Sequence, residues 1–289
     1  MSTVSLSELG RYQSIPETKV DLPYADLITL DLSKFDQPGG KEALAQQLHH
    51  AIHTVGFFYL KNFGLSDEEV ERQFDLAIDL FSLPLDEKLK YPITNELKGG
   101  PLGYKPRGVR KGAHGLMDNS EIYDDPKYID FFEPRGRPEP FQQAKVDTEK
   151  FCRHIHEHML KRLLILVAII MELEDEEALW KIHDYSKVSN CHMRYMVQHP
   201  RTPEEIEIMR AKGGEEVIYG HTDFGTFTFL FRQPIAGLQV RLEEEKEWRW
   251  VKPVDGACVV NVAVSVNSSA NARIEVNANC IGLVVCRIH

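Results

Sequence analysis

The chain has 289 residues, 43% of them hydrophobic and 27% charged, an ordinary globular balance with enough apolar material for one sizeable core. With 34 basic against 44 acidic residues and a formal charge of -10, nothing in it attracts phosphate backbones or anionic lipid, so neither nucleic acid nor a membrane is an expected partner. The polar Met1 to Val20 lacks a basic start followed by an apolar run, and the longest apolar stretch, Leu163 to Met171, falls well short of the ~20 residues a membrane helix needs; the expected location is cytoplasmic.

Periodicity is absent up to Leu22, which reads as a loose arm, and Leu27-Ile28-Thr29-Leu30 predicts a short strand. Leu44, Leu48, Ala51, Ile52 and Val55 recur at helical spacing and feed the aromatic strand Gly56-Phe57-Phe58-Tyr59-Leu60. Ser66 stands three residues before Glu69 in a capping-box pattern, and Val70, Phe74, Ala77, Ile78 and Phe81 form one apolar face until Pro84 stops the helix. From Tyr91 to about Pro140 the chain is rich in Gly, Pro, Asp and Lys and reads as long loops over a scaffold. Val146 to Leu173 predicts a long helix, buried toward its C-terminal half, on which a sheet packs.

After Lys187 the character changes. Short β-rich runs at Asn190 to Val197, Val217 to Tyr219, Phe224 to Phe231, Gly237 to Leu242, Trp248 to Val251 and Ala257 to Val262 imply a sandwich or barrel. The cysteines Cys152, Cys191, Cys258, Cys280 and Cys286 have no paired spacing and read as buried free thiols rather than a disulfide framework or zinc knuckle.

The chemistry concentrates at His221-Thr222-Asp223, between Val217-Ile218-Tyr219 and the alternating Thr226-Phe227-Thr228-Phe229. Residues two apart on a strand share a face, so an imidazole and a carboxylate there converge on one metal ion. Two histidines and one carboxylate on one octahedral face are the ligand set of non-haem iron(II) oxygenases. A bare His-x-Asp also arises by chance, and a histidine capping a loop is its plain alternative.

The longer pattern carries more. His221 to Thr228, followed by Gly237-Leu238-Gln239-Val240, Trp248 to Pro253 and Val259-Val260-Asn261-Val262, resembles in order and spacing the iron(II)- and 2-oxoglutarate-dependent oxygenases related to isopenicillin N synthase. Gly56 to Leu60 with Asn62-Phe63-Gly64, Phe81 to Pro84 with Glu87-Lys88, and Gly103-Tyr104 are similar to that family's N-terminal region. The resemblance implies an α+β fold with a mainly β core, a double-stranded β-helix or jelly roll with N-terminal and flanking helices. It also implies iron(II) on His221 and Asp223, 2-oxoglutarate and O2 as cosubstrates, ascorbate as an admissible auxiliary reductant, and a small organic substrate that is hydroxylated, desaturated or cyclised. On this pattern residues 1–22 are a flexible arm, 23–140 the N-terminal helical and loop region, 141–187 the spine-helix region and 188–289 the jelly-roll region, atypical from about 263.

The departure lies at the C-terminal end. The family pattern has a second histidine beyond the first, then an arginine and a serine that hold the distal carboxylate of 2-oxoglutarate. Here no histidine follows Asp223 until His289, the one candidate third ligand, and no arginine follows that. After Asn261-Val262 the family's Gly-Asp gives way to Ala263 to Asn271, the kind of abrupt change that a retained intron or displaced splice site produces. The C-terminal strands are therefore expected to be incomplete, leaving a sheet edge that Ile281 to Val285 could partly patch. Three readings stay open: a 2-oxoglutarate-dependent oxygenase, a catalytically defective form of one, and an oxidase of the same family that dispenses with 2-oxoglutarate.

Other candidates have plain alternatives. Arg194 and Tyr195, on the strand entering the barrel, are candidates for the substrate pocket. Of His154, His156 and His158 only the first and last share a helix face, and all three read as a solvated face. His49, His50 and His53 read as polar-face residues and Glu243 to Glu245 as a hairpin tip; Lys105 to Gly108 lies in the loop region that can border substrate, with an exposed turn as its plain alternative. No phosphate loop, dinucleotide fingerprint or serine nucleophile elbow is evident, and no catalytic acid, base or nucleophile is assigned.

Overall fold

The computed structural model describes residues 12, 14, 16–97, 100–111, 115–212, 223, 225–231, 234–241, 248–263 and 281–288. The N-terminal part runs β1 (Thr29–Asp31), α1 (Gly40–Thr54), β2 (Phe57–Lys61), α2 (Asp67–Ser82), α3 (Leu85–Lys88), β3 (Thr94–Leu97), β4 (Gly100–Lys105) and β5 (Ser120–Pro126). Next come α4 (Glu139–Gln143), α5 (Lys145–His154), a π-helical stretch (Ile155–Leu160), α6 (Lys161–Ile170) and α7 (Ala178–Ile182). The last part holds β6 (His192–Gln198), α8 (Pro203–Ala211), β7 (Phe227–Phe231), β8 (Gln239–Arg241), β9 (Trp248–Trp250), β10 (Ala257–Val262) and β11 (Ile281–Ile288).

Nine strands form one sheet in the order β1-β2-β10-β7-β11-β6-β5-β4-β3, and β8 with β9 forms a second, two-stranded layer. Strand alternation gives the large sheet two chemically different faces. Phe58, Leu60, Cys258, Val260, Phe229 and Tyr195 belong to the core shared with the helices, where α6 contributes the wholly buried Leu163, Leu164, Leu166 and Val167. On the opposite face, Tyr59 and Ala257 pack with Val240 of β8 and with Val251 just beyond β9. The architecture is the expected α+β jelly roll, a large sheet and a small one with N-terminal and spine helices behind. The predicted capping box of α2 is present: Ser66 Oγ accepts from the Glu69 N–H at 3.2 Å, and Glu69 Oε2 accepts from the Ser66 N–H at 2.9 Å.

The middle of the sheet is filled by β11, which runs parallel to both β7 and β6, with Gly282 opposite Thr228 and His192. Ile281 to Val285, expected to patch an edge, thus forms part of an interior strand.

Two expectations are corrected. The stretch from Tyr91 to Pro140 is not a run of loops; it holds β3, β4 and β5, which extend the sheet through antiparallel pairing. Its polar residues misled because they are buried and paired rather than solvated. Lys105, expected in a loop region, is 3% exposed and paired with Asp118. Glu121 Oε2 takes the Lys88 ammonium at 2.8 Å and the Tyr104 hydroxyl at 2.6 Å, while His199 Nε2 lies 2.8 Å from Oε1. The second correction is His156. Within the π-helical stretch the wider turn changes the phase of the helix face, and His156 is 3% exposed instead of solvated. His154 and His158 do share a face, their rings stacked 4.6 Å apart.

The Glu121 cluster gives an acid-dependent contribution to stability. Burial alone would raise its pKa, but the donors Lys88, Tyr104 and His199 outweigh burial and hold it below 4.5. A carboxylate depressed on folding contributes stability that is present above its unfolded value and lost as pH falls through the folded value. Glu121→Gln is therefore expected to lower the urea midpoint at pH 7 and to flatten its decline below pH 4.5. An unchanged acid slope would rule this carboxylate out as a source of the pH dependence.

Candidate functional site

Asp223 stands just before β7 on the face of the large sheet that looks away from the helices. Gly225, at φ 111°, provides a conformation that L side chains rarely adopt and turns the chain from Asp223 into the strand. Two neutral donors orient the carboxylate: Thr228 Oγ1 donates to Asp223 Oδ2 at 3.1 Å, and Asn261 Nδ2 donates to the same oxygen at 3.0 Å. Thr228 and Asn261 are directly opposed in the β7–β10 ladder, so the sheet's register places both donors under one carboxylate. Orienting bonds of this type fix a metal-binding carboxylate before the metal arrives.

A charged group lies on the same face. Arg194 of β6 is opposite Asp124 of β5, and Nε and Nη2 of its guanidinium donate to the two Asp124 oxygens at 2.7 and 2.9 Å. Such a two-point contact fixes the plane of the guanidinium as well as its position. Asp124 is wholly buried, whereas the Arg194 side chain is 33% exposed. Burial disfavours the charged guanidinium, but Asp124 and then Asp223 overcome it and raise its pKa. His192 Nε2 lies 3.7 Å from Asp124 Oδ1, and burial, only partly opposed by Asp124, lowers its pKa.

The sequence candidates are distributed as follows. Asp223 and Arg194 share a face and interact electrostatically. Tyr195, one residue along β6, points the other way: it is fully buried in the helical core, donates to Gln73 Oε1 at 2.8 Å and packs edge-on against Phe141. His221 and His289 lie outside the described residues. Among the described residues no group of three or more His, Cys, Asp or Glu side chains is placed to hold a metal ion. Asn261, Thr228 and Asp124 escaped notice as site residues. Asn261 carried a signal, a polar side chain within the apolar strand Ala257–Val262.

Comparison with known proteins bears on the family and the fold. The family model for the non-haem dioxygenase in morphine synthesis N-terminal region matches residues 27–146, and that of the 2OG-Fe(II) oxygenase superfamily matches residues 189–275. The 2-oxoglutarate-Fe(II) type oxidoreductase hxnY of Emericella nidulans is 29% identical over 265 residues, covering 86% of this chain and 72% of that protein. The 2-oxoglutarate-dependent dioxygenase frbH of a Dothideomycetidae species is also 29% identical, over 262 residues, covering 86% of this chain and 74% of that protein. Among solved structures, a full-length Neurospora crassa protein crystallised in complex with alpha-KG superposes with a TM-score of 0.69 at 23% identity, over 88% of this chain and 79% of the Neurospora chain. At that identity the likeness is one of fold. With two family models spanning most of its length in the expected order, the chain belongs to the 2OG-Fe(II) oxygenase superfamily.

Proposed function

We propose that this chain is a non-haem iron(II), 2-oxoglutarate-dependent oxygenase that oxidises a small organic molecule, with His221 and Asp223 as metal ligands. The observation that carries the reading is the Asp223 carboxylate, oriented by Thr228 and Asn261 on the sheet face opposite the helical core. Its donor chemistry fits iron(II), which accepts imidazole and carboxylate together. When bound, iron supplies the oxygen chemistry, with 2-oxoglutarate and O2 as cosubstrates and ascorbate as an auxiliary reductant.

The protein's own residues have positioning roles. Thr228 and Asn261 hold the Asp223 carboxylate in one orientation, so that metal binding costs little side-chain ordering. Arg194, pinned by Asp124, places a fixed positive charge on the same face, where it favours carboxylate-bearing ligands. The buried Phe227 and Phe229, on the reverse face of β7, anchor that strand in the core.

A second reading, a fold-retaining but catalytically defective chain, is favoured by one specific observation. The central position of the sheet is occupied by β11, which runs parallel to both its neighbours. The two readings separate in an anaerobic titration of purified protein with iron(II) and 2-oxoglutarate, followed by the visible metal-to-ligand charge-transfer band. The oxygenase reading expects a band that His221→Ala abolishes. Folded wild-type protein that gives no band supports the defective form and overturns the first reading. A family oxidase that dispenses with 2-oxoglutarate would instead oxidise its substrate without forming succinate.

A further inference from the structure

A recess of about 110 Å³, which shares no lining residue with the Asp223 site, is lined by residues including Lys127, His156, His183, Lys187, Ser189 and Cys191. At roughly 30 Å³ per water it has room for three or four water volumes. Two of its side chains are buried without the partners that burial requires. His156 is 3% exposed, its ring between Trp180 and Tyr185 with centroids 4.9 and 5.1 Å away, and neither ring nitrogen has a hydrogen-bond partner among the described residues. The His183 backbone lies near enough to raise its basicity without making a hydrogen bond of normal geometry, but burial dominates and lowers the pKa to about 4, so the imidazole is neutral at pH 7 and carries one N–H.

Lys127 is also 3% exposed. Its ammonium lies 5.5 Å from the centroid of the Tyr185 ring, and no carboxylate reaches it within ion-pair distance among the described residues. Burial lowers its pKa, opposed only in part by Cys191 and, from further away, by Asp184. The Asp184 carboxylate is itself engaged at Oδ1, accepting from Ser186 N at 2.9 Å and Ser186 Oγ at 2.8 Å. Lysines are almost never fully buried unless paired, and an isolated buried charge is strongly unfavourable. Water in the recess would satisfy hydrogen bonds but leave the charge uncompensated. A transition metal has no donor group of three here, and a protonated lysine repels it.

We propose that this recess binds a small oxyanion, held by the Lys127 ammonium and the His156 N–H, with Lys187 at the rim. One negative group with several acceptor oxygens compensates the charge and supplies the missing hydrogen-bond acceptor together. The site needs neither iron nor 2-oxoglutarate, so it stands or falls separately from the oxygenase reading.

The test uses the full chain with 1,10-phenanthroline as a carboxylate-free iron chelator, in buffer free of phosphate, sulfate and carboxylates. Inorganic phosphate, sulfate and acetate are titrated separately by calorimetry and thermal melting, at an ionic strength held constant with sodium chloride. Saturable binding of at least one of them, with a rise in melting temperature that chloride does not reproduce, is expected. A response to phosphate or sulfate assigns a tetrahedral anion, and a response to acetate alone assigns a carboxylate. Lys127→Met should weaken the binding at least tenfold while melting no lower than wild type in anion-free buffer. His156→Phe, which keeps an aromatic ring between Trp180 and Tyr185, should weaken it as well. No saturable response to any of the three overturns the site, as does undiminished binding in the folded variants; should Lys127→Met not fold, undiminished binding in His156→Phe alone overturns it.

Discussion

Replacing Arg137 with methionine lowers the unfolding free energy by about 3–5 kcal/mol, the usual cost of leaving one member of a buried ion pair without the other. Arg137 is 1% exposed and its partner Asp125 is wholly buried. The guanidinium donates from Nε to Asp125 Oδ1 at 3.1 Å and from Nη2 to the Pro126 carbonyl at 3.1 Å, and it lies 4.0 Å over the Tyr128 ring. Burial already raises the Asp125 pKa even with Arg137 beside it. Without Arg137 the carboxylate either remains charged at high cost or takes up a proton, so the deficit should shrink as pH is lowered. Adding Asp125→Asn to Arg137→Met should recover much of the loss, because the orphaned charge disappears. Urea unfolding of both variants at pH 7 and pH 5 checks this. A loss below about 1 kcal/mol for Arg137→Met would mean that the Tyr123 and Tyr128 hydroxyls suffice to keep Asp125 buried.

The second large effect concerns metal binding. Asp223→Ala is expected to remove the iron(II) and 2-oxoglutarate charge-transfer band and all substrate oxidation while leaving the melting temperature close to that of the parent. Asn261→Ala and Thr228→Val should weaken iron(II) binding by roughly 10–100-fold without abolishing it, the range typical for groups that orient a ligand. Equal and complete loss in all three would point to collapse of the β7–β10 ladder instead, and circular dichroism of each variant distinguishes the two. Retention of the band in Asp223→Ala would remove this residue from the metal site.

These contrasts show which parts of the molecule the sequence made legible. The helices α1 and α2, the spine through α5 and α6, and β10 could be read because their apolar residues repeat at helical or strand spacing, and burial preserves that repeat. The region from β3 to β5 could not, because its sheet is stabilised by internal ion pairs such as Lys105 with Asp118 and Arg137 with Asp125, and a charged residue in a one-dimensional pattern signals solvent. Helix α8 was missed although Thr202 and Glu205 form a complete capping box with Pro203 in the first turn, a signal as strong as that at Ser66. At the site, the position of Asp223 next to an alternating strand was legible. The convergence of Thr228, Asn261, Arg194 and Asp124 was not, because it depends on the register among four strands that no local pattern specifies.

The position of β11 also sets an order of events in folding. Among the described strands it is the last to be synthesised, yet it sits between β7 and β6, both made well before it. Among the described strands, none but β11 joins the group β1-β2-β10-β7 to the group β6-β5-β4-β3, so the join waits until Ile288 has left the ribosome. Each can pair within itself, but their union waits for a parallel, long-range insertion, a kind of contact that forms slowly because loop closure must come before the ladder. The newly made chain thus passes through a stage with two open strand edges facing each other, and its yield of native protein depends on β11 arriving before another chain does.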